Sequence, residues 1–121
     1  MGEIKRHGVN ERNALSEIVE AGDFVFLSFY VGNVGKSVES QVNGALNDME
    51  KRLAKVGLTL EAVVKVDVIM KDPWNLPILE KVFKERFNGV YPARKTISSE
   101  FAHTGGESGL QVQIDAVAYR R

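Results

Sequence analysis

The sequence predicts an α+β fold, one β-sheet with two helices packed on the same face. Three observations carry that expectation. Apolar and polar residues alternate with the two-residue period of a strand in "AVVKVDVIM" and again from Gln111 to Tyr119. Apolar residues recur in steps of three and four at Val38, Val42, Ala45, Leu46, Met49, Leu53 and Val56, the spacing of an amphipathic helix. The segments follow in the order β-β-α-β-α-β-β, for which one sheet with both helices on one side is the economical packing.

The elements can be justified in turn. Glu3 to His7 reads as a short edge strand. Ser16 to Glu20 and Phe24 to Tyr30 flank "AGD", a glycine turn, and form a hairpin. "FVFLSFYV" is apolar on both faces, so both faces of this strand should be covered. After the loop "VGNVGK", Ser37 is placed to cap the first helix, with Glu39 in its first turn and Gly57 just beyond its end. The set Asp48, Glu50, Lys51, Arg52 and Lys55 is then its solvated face. "KDPW" stops the next strand. Leu79, Val82, Phe83 and Phe87 mark a second helix, with Pro77 near its first turn and Trp74 and Phe83 read as core residues. Arg94 to Phe101 is the next strand, and Gln111 to Tyr119 is the last. Val112, Ile114, Ala116 and Ala118 line one face of that strand, and Gln111, Gln113 and Asp115 the other. Two helices cover only one sheet face, so the second cover is expected to be another copy of the chain.

Composition narrows the function. A chain of 121 residues is expected to form a single domain over 1–121. Sixteen basic and sixteen acidic residues balance, which argues against binding nucleic acid through its phosphates. Cysteine is absent, so disulfides, thiolate catalysis and cysteine-ligated metal are excluded, and a cytoplasmic setting fits. The polar N-terminus does not read as a signal peptide, and no apolar run has the length of a membrane span. His7 and His103 lack metal-ligand spacing and read as surface or loop residues. "GNVGKS" and "TGGESG" are glycine-rich, but neither has the full phosphate-loop pattern, and both read as connecting loops.

"VVKVDVIMKD", a helix ending "VFKERF", then "YPARKTIS" and "VQIDAVAYRR" stand in an order and spacing that resembles the reactive-intermediate deaminase (RidA/YjgF, endoribonuclease L-PSP-like) family. "EAGDFVFLSF" and "LAKVGLTLEAVVK" extend the resemblance to about residues 14–121. It implies a chorismate-mutase-like fold and a homotrimer, with three sheets forming a central barrel and the helices outside. It also implies clefts between subunits and cofactor-free hydrolysis of 2-imino acids to 2-keto acids and ammonia. The arginine that follows "PA" binds the substrate carboxylate in that family, which here is Arg94. A guanidinium suits the task because its planar fork meets a carboxylate at two points. A structural salt bridge is the alternative role for the same residue.

The family pattern also points to positions where this sequence departs from it. Ser28 is kept, but Phe29 replaces a pocket glycine. The pocket tyrosine falls on Leu15, the helix asparagine on Glu80, and the residue that is often cysteine on Thr96. The glutamate that positions or activates water falls on Gln113. An amide can orient water but cannot take its proton at neutral pH, whereas a carboxylate can do both. Glu80 is therefore a second candidate for the catalytic role; it can instead pair with Arg94 or face solvent. Two readings follow. One is a 2-iminobutanoate/2-iminopropanoate deaminase. The other is a divergent relative that binds a small anionic ligand without deaminase activity.

Overall fold

The computed structural model describes residues 3–102 and 109–121. Its strands are β1 (Ile4–Asn10), β2 (Leu15–Ala21), β3 (Phe24–Tyr30), β4 (Val63–Met70), β5 (Ala93–Ser98) and β6 (Val112–Tyr119). They form one sheet in the order β1-β2-β3-β6-β4-β5. Helix α1 (Val38–Lys55) joins β3 to β4, and α2 (Leu76–Phe87) joins β4 to β5. The β4–β5 pair is parallel and the other pairs are antiparallel. A parallel pair needs a crossover, and α2 supplies it. No helix among the described residues is long and apolar enough to cross a membrane.

The helix ends follow from their capping residues. The Ser37 hydroxyl accepts from the Ser40 N–H at 3.1 Å. At the other end Leu58 N donates to Leu53 O at 2.9 Å and Gly57 N to Ala54 O at 3.1 Å, with Gly57 at φ +78°. That is a Schellman stop, which needs a residue free to enter the left-handed region. Gly32 and Gly44 meet where the loop after β3 crosses α1. A Cβ on Gly32 would lie 2.4 Å from the Gly44 backbone, so the crossing admits no side chain there.

The core lies between the sheet and the helices. Val25 and Leu27, Val66, Val68 and Met70, and Ile114, Ala116 and Ala118 are buried on one sheet face. Val42, Leu46, Met49 and Leu53 of α1 and Leu79, Val82, Phe83 and Phe87 of α2 cover them. Gln41 is fully buried but satisfied. Its amide donates to the Lys36 and Gly109 carbonyls and accepts from Gln111 N, which ties the start of β6 to α1.

Three expectations are corrected. The first strand is longer than Glu3 to His7, because pairing continues through Val9 with Ser16 and Asn10 with Leu15. β5 ends at Ser98, and Phe101 lies beyond it. Trp74 is not core: it sits in a 3-10 turn (Pro73–Asn75) ahead of α2, capped by Asp72, and is 87% exposed. Within the single chain the second face of β3 is open, with Phe24 and Phe26 standing 44% and 45% exposed opposite the helices, the face for which a second copy is the expected cover. His103 and most of "TGGESG" lie outside the described residues.

Candidate functional site

The loop between α2 and β5 builds the site. Asn88 ends α2 in the left-handed conformation, and Val90 N donates to Phe87 O, folding the chain back beside the helix. Pro92 favours an extended Tyr91 ahead of it. β5 then runs along β4, with Arg94 opposite Val66. Val66 faces the helices, so Arg94 does too. The result is a cleft of about 460 Å³ lined by Glu80, Phe83, Lys84, Tyr91, Pro92 and Arg94.

Arg94 is held from two sides. Its guanidinium lies over the Phe83 ring, 5.9 Å from the centroid. Its Nη2 donates to Glu80 Oε2 at 3.1 Å. The Arg94 side chain keeps 27% and the Glu80 side chain 45% of their exposure, so the pair is solvated and contributes about 0–1 kcal/mol. A charge-assisted contact that weak can be exchanged for a ligand's carboxylate.

The other sequence-predicted residues fall elsewhere. Thr96 shares the Arg94 side of β5; its Oγ1 is buried without a hydrogen-bond partner among the described residues, beside Met70, Pro73 and Leu76. Gln113 lies opposite Ile69, and Ile69 opposite Ile97, on the sheet face away from Arg94. Ser28 opens on that same face, in a hollow with Phe26, Val117, Lys65, Asp67 and Asp115. Phe29 is half-buried, where the β3–β6 register shifts. Leu15 lines a separate groove with Val9 and Val19. β3 and β5 stand three strands apart, roughly 14 Å at the usual strand spacing. Within one chain, only Glu80 and Arg94 of the predicted set come together.

The open face carries its own electrostatics. Asp67 and Asp115 are direct cross-strand partners, with Lys95 on the other side of Asp67. Lys65 Nζ reaches Asp67 Oδ1 at 3.2 Å. Burial, with Asp67 as a lesser cause, raises the pKa of Asp115, and Lys65 opposes the rise.

Sequence reading missed Lys84, Tyr91 and Pro92 as lining residues and took Phe83 as core alone. The signal for Lys84 was its place four residues after Glu80, one helical turn on the same side.

The profile described as Endoribonuclease L-PSP matches residues 6–120. A solved structure of a hypothetical protein from Streptococcus pyogenes M1 GAS, described as a member of the yjgF family, is 57% identical and superimposes with a TM-score of 0.92 over 100% of this chain and 99% of that one. A RutC family protein of Pyrococcus horikoshii is 26% identical over 112 residues, covering 87% of this chain and 86% of its own. A protein of Dermatophagoides farinae named 2-iminobutanoate/2-iminopropanoate deaminase is 28% identical over 89 residues, covering 68% of this chain and 70% of its own. With nearly its whole length matched and its fold shared, this chain belongs to the endoribonuclease L-PSP family, the RidA/YjgF group that its motifs resemble.

Proposed function

We propose that the chain, acting as one domain, binds a small 2-imino acid by its carboxylate at Arg94 and hydrolyses it to the 2-keto acid and ammonia. The observation that carries this reading is a guanidinium backed by Phe83 in an open cleft, held among the described residues by one solvated carboxylate. The named deaminase among its relatives supports the reaction class. Water adds to the C=N carbon, its proton passes to nitrogen, and ammonia leaves as the C=O forms. No cofactor takes part. The water needs an orienting group and a proton acceptor. Gln113 is suited to the first role only, and Glu80 to both.

Gln113, Ser28 and Leu15 stand apart from Arg94 in one chain. In this reading the working unit is a homotrimer, and the open face of a neighbour completes the cleft. The apolar side chains on that face, Phe24 and Phe26 among them, favour a cover. A nuclease role draws no support from the balanced charge of 16 against 16.

The second reading, a small-anion binder without deaminase activity, is favoured by one observation: Glu80, the one carboxylate lining the cleft among the described residues, is engaged by the anchor itself. Ammonia release from freshly generated 2-iminopropanoate and 2-iminobutanoate separates the two. Turnover that Arg94→Ala abolishes supports the deaminase. A folded protein that binds pyruvate through Arg94 but releases no ammonia above background supports the binder.

A further inference from the structure

Arg94 cannot hold Glu80 and a ligand carboxylate at the same edge of its fork. Glu80 Oε2 occupies Nη2 at 3.1 Å. An anion arriving at that edge must displace it, and a displaced Glu80 that stayed nearby unpaired would repel the anion. The helix itself is poorly placed to move away. Leu79, Val82, Phe83 and Phe87 are buried beneath it, and Arg86 binds Asn43, Asn47 and Glu50 of α1. Relief has to come from the Glu80 side chain finding another partner.

Helix α2 carries three described cations beyond Glu80, namely Lys81, Lys84 and Arg86. Lys81 is paired with Glu39 at 2.9 Å, and Arg86 with Glu50 at 2.8 Å. Lys84 lines the same cleft as Glu80 and Arg94 and makes no ion pair among the described residues. It follows Glu80 by four residues, with the glutamate N-terminal, the favoured orientation for a pair on one helix face. We infer that Lys84 is a positioning residue: it receives the Glu80 carboxylate when an anion takes Arg94, and so frees the guanidinium without leaving Glu80 unpaired. Glu80 alternates between two cations, and Lys84 need not touch the ligand.

The inference rests on the carboxylate-anchor reading of Arg94, and titration calorimetry with pyruvate on the intact protein tests the two apart. Lys84→Met is expected to weaken pyruvate binding about two- to fivefold, the scale of one solvated ion pair. Lys84→Arg should restore it. Glu80→Gln should bind pyruvate more tightly than the parent, and adding Lys84→Met to Glu80→Gln should change little. Unchanged binding in Lys84→Met overturns the inference. So does an equal loss in both backgrounds, which would mean that Lys84 contacts the ligand directly. If Arg94→Ala binds pyruvate as the parent does, or the parent binds none at millimolar concentration, the anchor reading itself fails and the inference with it.

Discussion

The two faces of the sheet are built by different rules. On the helix side, Val25, Val66, Val112 and Ile114 are fully buried, each against side chains of the same chain. On the other side Phe24 and Phe26 are nearly half exposed, and the strip between them and Ile97 carries Lys65, Asp67, Lys95 and Asp115. The first face is finished within one chain. The second mixes apolar surface with two charges of each sign, a pattern that matches itself and suits a second copy better than a lipid or a polyanion. The predicted functional residues divide along the same line, with Arg94, Glu80 and Thr96 toward the helices and Ser28 and Gln113 away from them.

The sharpest way to break this contrast is to truncate one residue on each face. Leu46 of α1 is fully buried in the core. Leu46→Ala should cost about 2–5 kcal/mol in urea unfolding, from lost transfer energy and an unfilled cavity. Phe26→Ala removes a similar volume from the open face. It should leave a cooperative fold and instead weaken self-association, by about 1 kcal/mol per chain for the surface a cover would bury. Light scattering reads the second effect as a lower mass at equal concentration. If both variants lose the same folding stability at unchanged mass, the two faces are not distinct.

Some of this division is visible in the residue order and some is not. The core face of α1 follows directly from the three-and-four spacing of Val42, Ala45, Leu46, Met49 and Leu53. Alternation in β6 separates Ile114 from Gln113 without any knowledge of neighbours. Alternation within a strand says nothing of register between strands, and register is what sets Gln113 on the opposite face to Arg94. Helical spacing places Trp74 in the core, but it lies in a 3-10 turn that precedes the helix and does not share its phase. In the sequence β1 ends at His7 because Gly8, at φ +65°, interrupts the pattern, while the pairing resumes at Val9. Arg94 stands out through its motif, and of the roles the sequence leaves open for Glu80, the fold of the 88–92 turn selects the pairing with Arg94.

A smaller effect tests the electrostatics of the open face. Asp115 faces Asp67 across the β4–β6 pair, and Lys65 and Lys95 are the cations on the neighbouring positions. Burial and Asp67 raise the carboxyl pKa of Asp115 in the folded protein. The folded state then holds its proton to higher pH than the unfolded chain does. Its contribution to stability is present at acid pH and is lost as pH rises from the ordinary carboxylate range, near 4, through the raised value. Asp115→Asn removes the like-charge pair. It should match the parent in urea unfolding under acid conditions and exceed it by about 0.2–1 kcal/mol at neutral pH, the usual scale for like charges directly opposed on a sheet. Concentration must be held equal, because any self-association adds its own stabilisation. A gap between the two proteins that does not grow with pH would mean that Lys65 and Lys95 already neutralise the pair. The charges on the open face would then contribute nothing to its pH dependence.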